Sequence, residues 1–119
     1  MSKLLFAKTH EWVKIEGNEA TIGISDHAQH ELGDLVFINL PAVDDEVKAG
    51  EAFCDVESVK AVSDVMSPVS GKVLEVNEEL ESAPETINSD PMGAWICKVE
   101  VTCVPEDLMD EAQYAEFIK

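Results

Sequence analysis

One lysine in this chain lies where a lysine can do covalent chemistry. In the run Glu51 to Asp64, the residues Ala52, Cys54 and Val56 alternate as an inward face. The alternation breaks from Ser58 to Ala61 and then resumes, which predicts a hairpin with Lys60 at its tip. An ammonium at such a tip is exposed on a rigid base. A carrier needs that arrangement, because the amine must reach a modifying enzyme and the finished arm must sweep clear of the body. Most exposed hairpin lysines do nothing of the kind, and Val-Lys-Ala alone does not set this one apart. Glu57 and Asp64 flank the same hairpin and read equally well as solvated loop carboxylates.

The other reactive side chains form no constellation. His10 and His27 read as structural or surface residues, and no paired base, nucleophile and oxyanion donors are in view, so no independent active site is expected. Cys54, Cys97 and Cys103 are odd in number, and two of them lie in apolar, strand-like runs. They read as buried thiols in a reducing compartment rather than a disulfide framework. No CxxC or His/Cys spacing suggests a metal.

The elements that position Lys60 follow from patterning. Trp12 to Ile24 reads as a hairpin turning at Gly17-Asn18. Ser25-Asp26 offers a helix N-cap with Gln29 placed as in a capping box, and Gly33 offers a stop. Leu35 to Leu40 is a strand closed by Pro41, and Asp44-Asp45-Glu46 is a solvated loop. Strands run from Glu51 to Val76 with turns near Val59-Lys60-Ala61 and Ser67-Pro68. Ala83 to Thr86 opens one helical turn, and Trp95 to Val101 is a further strand. From Pro105 to Lys119 the pattern is helical, with Leu108, Ala112 and Ala115 on one stripe and Tyr114, Phe117 and Ile118 clustered near the end. An internal repeat underlies this order. Gly50 to Glu57 aligns without gaps to Gly93 to Glu100, and Gly33 to Asn39 resembles Gly71 to Asn77. The expectation is one small β domain over 1–119 made of quasi-equivalent halves, about 33–57 and 71–100, with a helical tail over 105–119.

Charge narrows the partners. There are 25 acidic residues against 8 basic ones, all lysine, for a formal net charge of -17. Nucleic acid and anionic membrane surfaces are therefore not expected partners, whereas basic protein surfaces are. The like charge also favours a monomer. The first residues, Met-Ser-Lys-Leu-Leu-Phe, lack secretory or transit character, and no apolar run reaches the length of a membrane span. A cytoplasmic location is the expectation, or an organelle such as the mitochondrion if a transit segment has been removed.

Glu57-Ser58-Val59-Lys60-Ala61 resembles the attachment motif of lipoyl domains, in the form typical of glycine cleavage H proteins. The resemblance extends over nearly the whole chain. It takes in His10-Glu11-Trp12-Val13, Ala20 to Ile24, Ala28-Gln29, Leu32 to Phe37 and Leu40-Pro41. Ser67 to Gly71, Glu75-Val76-Asn77 and Ile87 to Pro91 follow in order. Biotin carriers match less well, since their lysine usually sits between methionines. The resemblance implies a mainly β barrel-sandwich hybrid of the lipoyl/biotinyl type, with short helices and a C-terminal helix. It implies lipoic acid amide-linked to Lys60 in a non-catalytic carrier. The partners implied are a pyridoxal-phosphate glycine decarboxylase, a folate-dependent aminomethyltransferase, a dihydrolipoyl dehydrogenase and a lipoyl ligase or transferase. It further implies a cleft for the loaded arm at Thr9, Glu11 and Asp64; Glu57, from its place beside the hairpin, is the candidate for ligase recognition.

Two departures stand out. Some relatives have histidine where this chain has Glu31, with His30 one position earlier, so a histidine role in the cleft is in doubt. The loop Pro91-Met92-Gly93-Ala94 before Trp95 is one residue shorter than usual. Two other readings remain open at this point: a related carrier serving lipoyl donation or a redox-linked modification pathway, and an interaction domain whose lysine is never modified.

Overall fold

The computed structural model describes residues 2–119. Strands dominate, as expected. In chain order they are β1 (Ser2–Phe6), β2 (Glu11–Glu16), β3 (Glu19–Ile24), β4 (Leu35–Asn39), β5 (Glu46–Val47), β6 (Ala52–Ser58), β7 (Val62–Met66), β8 (Ser70–Val76) and β9 (Cys97–Cys103). The helices are α1 (Asp26–Leu32), α2 (Glu79–Ser82), α3 (Thr86–Ser89) and α4 (Glu111–Phe117). One sheet has the order β1-β2-β3-β9-β8-β5 and the other β4-β6-β7. Their inner faces enclose a continuous core that includes Val13, Ile22, Ile38, Val56, Val73, Ile96 and Val99. A satellite cluster of Phe6, Trp12 and Tyr114 seats α4.

Two strand triplets pair in a similar way. β6 lies between β4 and β7, and β9 lies between β8 and β3. Glu57 pairs with Val62 as Glu100 pairs with Glu19, and Cys54 pairs with Val65 as Cys97 pairs with Ile22. Cys54, Val56, Cys97 and Val99 are all buried. Each first strand also carries a bulge at the matching place, between Leu35 and Phe37 in β4 and between Val73 and Glu75 in β8. The register of the two first strands differs. Phe37 pairs with Glu57, whereas Glu75 pairs with Lys98. Relative to the repeat this is a slip of two residues, and an even slip leaves the same side chains facing inward.

Several expectations need correction. β1 was not foreseen at the start of the chain; it pairs antiparallel with β2 from Ser2↔Glu16 to Phe6↔Trp12. Glu46, expected in the solvated loop Asp44-Asp45-Glu46, instead opens the short strand β5 against β8. Ala52 does not share the inward face of Cys54, because the register shifts between the two and leaves Ala52 exposed. The last strand starts at Cys97, two residues after Trp95. The tail is not helical from Pro105: Met109 exchanges backbone hydrogen bonds with Phe6, and the helix begins only after Asp110. Its buried side chain is Tyr114, while Ala112 and Ala115 are exposed and Leu108 lies outside the helix, so the expected stripe does not form. Asp110 and Gln113 form a reciprocal capping box there. The box expected at Asp26 and Gln29 is absent. The cap is Ser25, whose Oγ accepts from Ala28 N at 3.2 Å, and this leaves Gln29 one position too late; it bonds Asp26 Oδ1 instead.

The short loop before Trp95 is well anchored. Ala94 N donates to Asp90 O at 2.8 Å, and Trp12 Nε1 donates to Pro91 O at 3.0 Å. The Trp12 indole lies so close to Gly23 that a Cβ there would stand 2.5 Å from the ring, so only glycine fits at that point of β3. Burial pushes the thiols of Cys54 and Cys97 well above their ordinary range, and Cys103 is exposed at the end of β9. No helix of the described residues is long and apolar enough to cross a membrane.

Candidate functional site

Lys60 is the middle of the three residues that join β6 to β7. The turn closes on Ser58. Ser58 N donates to Ala61 O at 2.8 Å, and Ser58 Oγ accepts from Lys60 N at 3.2 Å and from Ala61 N at 3.1 Å. Serine suits this position because its short hydroxyl can satisfy the backbone donors of a tight turn. Val59 and Lys60 are exposed, and the Lys60 ammonium has no ion pair among the described residues.

The turn is also fastened from below. Val59 N donates to Asp34 O at 3.0 Å, tying the tip to the α1–β4 connection. That connection turns at Gly33, whose φ of 83° favours glycine and ends α1. A Cβ on Gly33 would stand 3.4 Å from Lys60 Cε, so the lysine stem crosses directly over it. Asn88, at the end of the α3 segment, holds the connection in place. Its Oδ1 accepts from Leu35 N at 2.8 Å, and its Nδ2 donates to Gly33 O at 2.8 Å and Gln29 Oε1 at 2.9 Å. Sequence reasoning gave Asn88 no role. Its only trace was its place in the Ile87 to Pro91 run.

Thr9, Glu11 and Asp64, expected together on the strength of resemblance, do line one cleft of about 180 Å³. Glu31 and His10 line it too, with Ile24, Leu32 and Val56 as an apolar floor. Glu11 is 3% exposed. It accepts from the Thr9 hydroxyl and, through Oε2, from Met66 N at 3.3 Å. Burial pushes its carboxyl up to about 7, against the opposing pull of those two donors. A carboxyl poised there changes charge near neutral pH and can meet a cation entering the cleft. Among the described residues β7 has a strand neighbour only in β6, and its other edge borders this cleft; Glu11 occupies the Met66 donor on that edge. Glu57 lies elsewhere, exposed on the outer face of the small sheet between Phe37 and Val62.

The histidines divide. His30 lines a separate groove beside α4 with Tyr114 and Phe6, whereas Glu31 faces the cleft. His10, read from sequence as structural or surface, both lines the cleft and bonds Tyr114 Oη through Nδ1 at 2.8 Å. Its ring is 4.6 Å from that of His27. Burial lowers the His10 pKa, His27 lowers it further, and Glu31 opposes both. Ser25 Oγ lies 2.7 Å from the same Tyr114 hydroxyl, so one phenol links α4 to the start of α1 and to the cleft rim.

An exposed amine on a fastened turn, beside a cleft with a buried carboxyl, can be read against known proteins. Residues 4–119 match the family described as Glycine cleavage H-protein. The chain belongs to that family. It is 62% identical over 116 residues to the glycine cleavage system H protein of Alkaliphilus oremlandii, covering 96% of this chain and 91% of the relative. It is 53% identical over 120 residues to the probable glycine cleavage system H protein of Pyrococcus abyssi, covering 98% and 90%. Among solved structures, a glycine cleavage system H protein from Mycobacterium marinum superposes with a TM-score of 0.89 at 40% identity, covering 96% of this chain and 94% of that one. The fold is thus the barrel-sandwich hybrid of lipoyl domains, and the family is that of the lipoyl carrier of the glycine cleavage system.

Proposed function

We propose that residues 1–119 act as one lipoyl-carrier domain whose single point of attachment is Lys60. The observation that carries this reading is the Lys60 turn itself: an exposed primary amine held by Ser58 and Asp34 on a rigid hairpin. The site fits a lipoyl group, because an accessible amine can form an amide with an activated carboxyl, losing a proton as the activating group leaves. Held on Lys60, a lipoyl group would supply the disulfide–dithiol couple on which an aminomethyl unit can be carried from the decarboxylase to a folate-dependent aminomethyltransferase, which would take the one-carbon unit and release the nitrogen as ammonia, with dihydrolipoyl dehydrogenase to restore the disulfide. The chain itself contributes attachment and presentation and is not an enzyme. Thr9, Glu11 and Asp64 form the wall against which a cationic loaded arm rests, with Glu11 and Asp64 supplying negative charge. Glu57 marks the hairpin for a lipoyl ligase or transferase. The chain works in the compartment that holds these enzymes, the cytoplasm or an organelle.

Intact mass of chain produced in a lipoylating host tests attachment. A lipoyl increment on the wild type that is absent from Lys60→Ala is the expected result, and an unmodified wild type in the presence of active ligase and lipoate would overturn it. Glycine-dependent carbon dioxide exchange with the decarboxylase then separates glycine cleavage from lipoyl donation to other systems. Exchange supported by lipoylated chain is expected.

A further inference from the structure

Matching rows of the two halves carry different side chains. In the first half, Phe37, Glu57 and Val62 stand side by side across β4, β6 and β7. In the second, the row is Lys72, Glu100 and Glu19 across β8, β9 and β3. The central glutamate is common to both. Its neighbours are apolar only beside the lysine turn, although the framework accepts charged residues at the equivalent places. Phe37 is 45% exposed and Val62 64% exposed, so neither is spent on the core.

The bulge in β4 enlarges this surface. A regular strand would turn one of Val36 and Phe37 inward, but a bulge allows two consecutive side chains to face out. Val36 is accordingly 54% exposed. Val59, next to Lys60, is 67% exposed. Asp34 lies below the tip, and Asp55 and Asp64 form the next outward row of the sheet.

We infer that Val36, Phe37, Val59 and Val62 form the docking surface for the enzyme that acylates Lys60, a lipoyl ligase or transferase whose contact face is apolar and carries basic groups. This rests on the carrier reading above. Whatever protein draws the Lys60 amine into its active site must cover the ground around the turn, and that ground is exposed apolar side chains on either side of Glu57, with Asp34, Asp55 and Asp64 nearby, on a chain of net charge -17. The apolar side chains supply affinity, and the carboxylates among and beside them select a basic partner and speed encounter.

The test uses the apo chain as protein substrate for a purified lipoate ligase with ATP and lipoate. Phe37→Lys combined with Val62→Glu writes the second half's row into the first. The expected result is a KM for the chain raised at least tenfold with kcat within about twofold of wild type. Leu74→Ser, at the matching bulge of β8, should leave both constants unchanged. Melting curves confirm folding, and should the double variant fail to fold, Val59→Ser in the turn replaces it, with a KM increase of about threefold or more expected. A labelled wild type with unchanged KM in the folded variants would overturn the docking surface alone. A wild type that takes no label overturns the carrier reading, and the docking surface with it.

Discussion

The two halves of this molecule share a framework and differ at one connection. β6 and β9 are each the middle strand of a triplet, with matching cysteines turned inward and matching glutamates on the outer row. In the first half the middle strand turns back directly into β7, and Lys60 sits on that turn. In the second, β9 runs on to Cys103, and its neighbour β3 arrives from a different hairpin, the two pairing antiparallel from Glu19↔Glu100 to Ile22↔Cys97. On the carrier reading proposed above, two similar strand triplets would carry one arm, because attachment would depend on the closed turn and its surroundings rather than on the strands beneath.

The sharpest way to break this contrast is to move the lysine. Asn18 occupies the exposed β2–β3 turn at the corresponding end of the second half. A Lys60→Ala/Asn18→Lys variant should receive no lipoyl group when incubated with ligase, by intact mass. A full increment on that variant would show that any exposed tip suffices.

A second difference is the open edge of β7. β3 is covered by β2, whereas β7 relies on Glu11 beside the cleft. Glu11 has its carboxyl raised from 4.5 to about 7. Because the folded chain holds this proton more tightly than the unfolded chain, the group favours the fold most below about pH 4.5, loses that contribution as pH rises through about 7, and stays flat above. The change amounts to at most about 3 kcal/mol. Glu11→Gln should flatten this part of the stability profile in urea titrations at pH 5 and pH 8; an undiminished slope would mean that Glu11 titrates elsewhere.

Asn88 braces only the first half. Asn88→Ala leaves Leu35 N and Gly33 O without their partner and should cost about 1–3 kcal/mol. Hydrogen exchange should quicken at Val59 N–H in the turn before it does at β9. The smallest effect belongs to Tyr114→Phe, which removes the hydroxyl shared by Ser25 and His10 at a cost of about 1 kcal/mol. Lipoylation kinetics should not change, since α4 is fastened away from the lysine turn.

Much of this was legible from residue order. Apolar patterning and turn residues located β2, β3, β4, β6, β7 and β8, and the break at Ser58 to Ala61 located the turn, because short-range sterics and burial set both. Glu46–Val47 and the N-terminal strand escaped because each is strand only by virtue of its partner: β8 for one, β2 for the other. The tail was misread for a related reason. Met109 pairs with Phe6 instead of entering a helix, a contact spanning most of the chain that local propensity does not encode. Thr9, Glu11 and Asp64 lie on separate elements, and only resemblance brought them together in advance. Asn88 illustrates the remaining gap, since an asparagine's three hydrogen bonds across tertiary contacts leave no local pattern.

The inward cysteines have a consequence for an arm that ends in a disulfide. Sulfur exchange requires a thiolate, and burial keeps Cys54 and Cys97 in the thiol form at neutral pH. The body of the protein is thus chemically silent toward a disulfide at two of its three cysteines. An oxidised arm of the kind proposed above would meet no ready nucleophile at Cys54 or Cys97, whereas Cys103, exposed at the end of β9, stands outside that protection.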